Sequence, residues 1–325
     1  MNRIIATTVL ALALVLAPLG AIAKGGKDDK VDVIVVYNAK PGDFEERAVK
    51  DLGGDVKREF DNFDMRVISI SANAVEHLGK AKGVRFVAPD RETFGMAYLL
   101  SVAPPSESAA HATANVPDLL SLNAQFDGNG VGVAIIDSGI GVHMDLSSSI
   151  RQYDFLNGAY PHLNVDGDEI DSYNSDPRSD GLGHGTHVAG ILTGSGSASS
   201  GQHKGAARGA NLLSLRTLDC DGRGVASDTI AALVWLLSYG RYFDNEVVNM
   251  SIGKAVEESN ATDPLVLAVE QVWDAGITVV VAAGNFGRDG NMTITSPANS
   301  RKVITVGSLT DKETGNDFSD DFPST

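Results

Sequence analysis

Residues 131–140 read "VGVAIIDSGI", and this stretch decides what kind of sheet the chain builds. Val133 to Ile136 is an unbroken apolar run without polar alternation. Such a run predicts a strand covered on both faces, as in the parallel sheet of an α/β protein. Asp137 follows directly, so it leaves the sheet at its C-terminal edge, partly buried. A buried carboxylate without a donor is costly. Two donors suit it. An imidazole N–H would let Asp137 fix the ring's tautomer and favour the imidazolium formed in a reaction. The turn backbone of Ser138 and Gly139 would make it a simple cap.

Further apolar runs continue the pattern downstream. Residues 211–218, 246–252, 277–283 and 302–308 read as strands, and 185–194, 227–239 and 264–275 as helices. Strand and helix alternate from about residue 118, with glycines clustered just past strand ends, where parallel sheets carry their sites.

Upstream lies a different unit. In residues 31–90, "VDVIVVY" is a strand, "PGDFEERAVKDLGG" a helix ending in glycine, "DVKREF" and "DMRVISI" two strands, "ANAVEHLGKA" a helix and "VRFVAP" a last strand. The order βαββαβ is the split-βαβ pattern of an α+β, ferredoxin-like domain. The stretch "LLSVAPPSESAAHATANVP" (99–117) has no period and reads as an exposed linker open to proteolysis. The expected boundaries are therefore a leader over 1–23, the small unit over 31–92, a linker over 93–117 and the large unit over 118–325.

Composition narrows the classes. Apolar residues make up 43% and aromatic residues 6%, with 35 glycines, a profile of an α/β protein rather than a disordered chain. A formal charge of −16 disfavours nucleic acid as a partner, and none is expected, because phosphate binding calls for basic patches. Residues 1–23, "MNRIIATTVLALALVLAPLGAIA", have a positive start, a short apolar core and an A-x-A exit. They read as a signal peptide, so the expected location is outside the cytoplasm, with no stable membrane association. Cys220 is the chain's one cysteine. It is either a free buried thiol or paired outside the chain.

Chemistry needs a partner for Asp137. "GLGHGTHVAG" (181–190) is a loop entering a helix, with His184 at its mouth and His187 a turn inside. A zinc-protease helix needs histidines four apart with a glutamate between, and this segment has neither. His184, flanked by Gly183 and Gly185, has the exposure a general base requires. His187 is expected to pack inside as scaffold. In "VVVAAGNFG" (279–287) a strand runs into Gly284-Asn285, where a side-chain amide can donate to a developing oxyanion; the same dipeptide is also a common turn.

Together, "IIDSGI", "GHGTHVAG" and "AAGN", in that order, resemble the subtilisin-like serine proteases (subtilases, peptidase family S8). The resemblance implies a three-layer parallel sheet with helices on both faces. It also implies a catalytic Asp137, a catalytic His184 and an oxyanion-binding Asn285. Residues 31–92 resemble the family's inhibitor-I9-type propeptide, an intramolecular chaperone and inhibitor. "DCDGRG" (219–224) resembles the segment that pairs with extended polypeptide substrate, through Gly222, Arg223 and Gly224. "NMSIG" (249–253) resembles the opposite wall, with Ser251, Ile252 and Gly253. Ala282, Ala283 and Gly284 would flank the primary specificity pocket.

A structural calcium ion is the one cofactor implied. "HMDL" (143–146) resembles a family segment whose Asp, here Asp145, binds calcium, and Asp166, Asp168 and Asp171 stand in the acidic stretch "NVDGDEIDSYNSD" (164–176). A solvated acidic loop is the alternative. Subtilases carry their nucleophile in a "GTSMA"-like segment beyond the oxyanion Asn. Ser319 and Ser324 lie in no such motif. The expectation is a protease precursor whose 325 residues hold base, orienter and oxyanion donor without the nucleophile, or else a protein that binds peptide and does not cleave it.

Overall fold

The first strand, β1 (Lys30–Tyr37), is apolar on both faces, and each face has its own core. This computed structural model describes residues 29–96, 126–163, 179–286, 293–310 and 322–323. The expected leader, most of the linker, and Asp166, Asp168, Asp171, Ser319 and Ser324 lie outside the described residues. β1 is followed by α1 (Asp43–Asp51), β2 (Asp55–Phe60), β3 (Met65–Ser71), α2 (Val75–Gly79) and β4 (Val84–Pro89). The sheet order is β2-β3-β1-β4, antiparallel throughout. Val33, Val35, Ile68 and Ile70 face Val49 of α1 and Val75 and Leu78 of α2. Ile34, Val36, Phe60, Met65 and Val67 point the other way, into the core of the large unit.

The large unit centres on six parallel strands. They are β6 (Gly132–Asp137), β7 (Arg151–Asp154), β8 (Asn211–Arg216), β10 (Asn245–Met250), β12 (Thr278–Ala282) and β13 (Ile304–Val306). Their order is β13-β12-β10-β6-β8-β7. On one face lies α3 (His184–Thr193), whose Ala189 meets Ile135 of β6 and Ile140. On the other lie α4 (Ala226–Tyr239) and α5 (Pro264–Asp274). Every residue of α4 from Ala226 to Leu236 is buried. A helix apolar all round needs cover all round: the parallel sheet covers one side and the small unit another. Each buried side chain such as Ile34, Phe60 or Met65 contributes roughly 1.5–3 kcal/mol, so the small unit is held mainly by apolar burial. Among the described residues no helix is long and apolar enough to cross a membrane.

One element contradicts the linker expectation over its first residues. Glu92–Gly95 forms β5, which lies between β9 (Arg223–Val225) and β11 (Ile252–Gly253), antiparallel to both. It is too short to show alternation, and its partners lie far along the chain. The expected strand 246–252 likewise ends at Met250, and its last residues belong to this second sheet.

Candidate active site

Parallel strands end on one edge, so Asp137 of β6, the 251–253 segment after β10 and Asn285 after β12 reach the same rim. Asp137 is 1% exposed. Its Oδ1 accepts from Ser138 N at 2.7 Å, Ser138 Oγ at 3.1 Å and His184 Nδ1 at 2.7 Å. Both donors foreseen from sequence are used at once.

The start of α3 comes this close because residue 185 is glycine. A Cβ there would lie 2.1 Å from the carbonyl oxygen of Gly139 and 3.2 Å from Asp137 Cβ. Any larger residue would push the helix, and His184 with it, off the strand end. Asp180, which sequence reasoning missed, fixes the approach turn. Its carboxylate accepts from Gly183 N at 2.8 Å, Thr186 N at 2.8 Å, Thr186 Oγ1 at 2.6 Å and Ser138 Oγ at 2.8 Å. Burial works against this carboxylate's charge, but the bonds from Thr186, Gly183 and Ser138 outweigh it and hold its pKa below the usual value. The signal available was turn chemistry: an Asp placed shortly before a helix mouth.

His184 is similarly balanced. Burial disfavours its imidazolium, but the hydrogen bond and charge of Asp137, with Asp180 behind, raise its pKa above that of an ordinary histidine. Such a ring takes a proton readily from a neighbouring hydroxyl.

His187 corrects an expectation. It is exposed, not packed inside. α3 buries Gly185 and Ala189, and two residues of helix turn a side chain by about 200°, which carries His187 to the solvent side. Cys220 is free and exposed, which removes the buried-thiol alternative.

The cleft between β9 and β11 is filled by β5. Thr93 pairs with Gly224 and Phe94 with Arg223 on one side; Phe94 pairs with Gly253 and Gly95 with Ile252 on the other. Gly95 N donates to Gly222 O at 2.9 Å, and Met96 N to Ser251 O at 3.0 Å. Asn285 Nδ2 donates to the Met96 carbonyl oxygen. All six residues expected to line an extended peptide therefore contact the 93–96 main chain. Ala283 and Gly284 stand beside Thr295, and Ala282 pairs with Val306 of β13: Ala283 O accepts Thr295 N at 2.9 Å, and a Cβ on Gly284 would meet Thr295 Cγ2 at 2.7 Å. A Cβ on Gly253 would meet both Met96 Cε, at 2.7 Å, and Thr295 Oγ1, at 2.6 Å. Thr295, Leu218 and Leu182, the last two beside Gly95, are cleft residues that sequence reasoning did not find.

Asp145, the residue expected to bind calcium, uses one of its carboxylate oxygens within the protein. Its Oδ1 accepts from Ala198 N at 2.8 Å and Ser195 Oγ at 3.2 Å, and its Oδ2 lies 4.0 Å from His143 Nδ1. Among the described residues no three His, Cys, Asp or Glu side chains gather to hold a metal.

The sequence pattern of the Subtilase family, Peptidase S8, matches residues 128–325. The chain is 34% identical over 278 residues to Serine protease AprX of Bacillus subtilis (strain 168), covering 83% of this chain and 57% of that protein. Against Subtilisin E of the same organism it is 30% identical over 264 residues, covering 80% and 60%. The chain thus spans little more than half the length of these relatives. Fervidolysin of Fervidobacterium pennivorans, described as a keratinolytic enzyme related to subtilisin, shares the fold with a TM-score of 0.64 at 20% identity, over 88% of this chain and 44% of that one.

Proposed function

The chain belongs to the subtilase family of serine peptidases, and from that premise we propose that it is the precursor form of a secreted subtilisin-like endopeptidase. Asp137 orients His184 and stabilises its imidazolium, His184 takes the proton of the nucleophilic serine, and Asn285 donates to the oxyanion. Residues 31–92 act as propeptide and inhibitor, with 92–96 lying where substrate would lie, and maturation occurs at the Met96–Ala97 bond. The observation that carries this reading is the Asn285 Nδ2 bond to the carbonyl of Met96, on a strand held from both sides by the expected substrate segments.

The serine expected in a G-T-S-x-A segment is not among these 325 residues. We therefore propose that this stretch of protein alone binds extended peptide without cleaving it. Secretion is supported by the leader-like residues 1–23 and by relatives named as extracellular, such as the Minor extracellular protease Vpr of Bacillus subtilis.

The test is peptide hydrolysis by the product of a reading frame that includes the nucleophile segment. Hydrolysis abolished by His184→Ala is expected, with a new N-terminus at Ala97. Hydrolysis that survives His184→Ala, or a complete product that cleaves nothing, would overturn the proposal.

A further inference from the structure

At the far end of the docked strand, Arg91 enters a pocket made by the large unit. Arg91 Nε donates to Glu258 Oε1 at 2.6 Å, and its Nη1 lies 2.6 Å from Glu257 Oε2. The Glu258 side chain is 2% exposed and its other oxygen accepts from Lys254 Nζ at 3.1 Å. Lys254, 4% exposed, also donates to the fully buried Asp263 at 2.6 Å. Asp263 is further satisfied by Leu265 N at the start of α5. Among the described residues, then, one ammonium serves two buried carboxylates, with Glu257 at the rim.

Glu258 Oε1 has no other donor among the described residues. Removing the Arg91 side chain strands a buried carboxylate oxygen, and such a group strongly favours whatever restores a cationic donor. The demand belongs to the large unit, so it persists when a different segment lies in the cleft. Two separate nitrogens of one guanidinium engage two carboxylates here in a fixed fork, a spread that the single nitrogen of an ammonium does not present. The neighbouring Arg223–Glu92 pair, 3.3 Å apart, is exposed on both sides and supplies little preference.

We propose that Glu257 and Glu258, braced by Lys254, form a cation subsite that selects arginine five residues before the residue whose carbonyl meets Asn285. This rests on the reading that substrate follows the path of residues 91–96. The cleft thereby prefers substrates carrying a basic side chain well upstream of the cleaved bond.

Amide hydrogen exchange on the 325-residue chain reads the subsite with the main chain held constant. The Gly95 and Met96 amides are expected to be protected. Arg91→Gln and Glu258→Gln are each expected to lower that protection about tenfold or more, Arg91→Lys to lower it less, and Glu92→Gln to leave it nearly unchanged. Arg91→Gln alters only the segment and leaves every residue of the pocket unsubstituted. Protection indifferent to residue 91 overturns the subsite. Free exchange at Gly95 and Met96 in the unsubstituted chain overturns the docked strand beneath both proposals.

A second arm uses the mature enzyme from the longer reading frame and peptides X-Glu-Thr-Phe-Gly-Met-Ala. Arginine at X is expected to give a kcat/KM about tenfold above glutamine, an advantage lost in Glu257→Gln/Glu258→Gln. Equal rates overturn the subsite; cleavage of none of the peptides strikes the proteolytic reading instead, and the exchange result then decides the subsite.

Discussion

The two ends of the docked strand are finished in opposite ways. Beside Met96, the Asp137–His184 pair draws both partners from the large unit, so the pair is complete whether or not anything lies in the cleft. Beside Arg91, the large unit supplies the surplus of carboxylates and the strand supplies the missing cation. A self-contained pair suits chemistry repeated on successive peptides; an unbalanced pocket suits recognition of one feature of a peptide. Substitutions separate the ends because each touches one and spares the other.

The largest effect is expected at the Met96 end. In a product carrying the nucleophile, His184→Ala should lower kcat by on the order of 10⁴–10⁶-fold, the scale known for triad members of subtilisin, while thermal unfolding changes little. Next comes the opposite end. Lys254→Met should destabilise the chain by about 3–5 kcal/mol in urea unfolding, because it leaves Glu258 and Asp263 buried without their shared ammonium. His184 should titrate as before in that variant. Asn285→Ala should cost about 10²–10³-fold in kcat, the loss known for the oxyanion amide of subtilisin, with KM nearly unchanged.

The smallest effect concerns how the strand is joined to the small unit. Asp90 accepts from Ser227 N at 2.9 Å and Ser227 Oγ at 2.5 Å at the start of α4. Burial pushes its pKa up to about 6, only partly offset by the Ser227 bonds, with Asp228 and Asp32 adding repulsion. A carboxyl that protonates more easily when docked favours docking in acid. Protection at Gly95 should be greatest below about pH 4. It should fall as pH rises to about 6 and stay level above that. Asp90→Asn should flatten this dependence.

Asp137 and Asn285 were legible because each follows an apolar run, where a parallel sheet must place its loops, and His184 because it opens a helix out of a glycine-rich loop. Asp137 and His184 meet in a hydrogen bond, and Asn285 follows β12 at the same edge of the sheet. The βαββαβ order of the small unit was legible too, but the fact that its second face is also buried was not. "VDVIVVY" is apolar at nearly every position, and no periodicity tells a solvent-facing side from a docked one. β5 escaped because "ETFG" gains its structure from partners more than a hundred residues away. "AVEESNATD" (255–263) reads as an ordinary polar loop; Glu258 and Asp263 are buried only because Lys254 and a helix start meet them. His187 was misplaced because the spacing of two histidines says nothing about which one faces the sheet.

Asp137, held behind His184, makes that ring a stronger base than a free imidazole. The direct measurement is the NMR titration of His184 in the 325-residue chain, assigned by His184→Asn. The midpoint is expected above the ordinary histidine value of about 6.5, falling when Asp137→Asn removes the charge. A midpoint at or below that value, unmoved by Asp137→Asn, would mean that the carboxylate does not govern the ring.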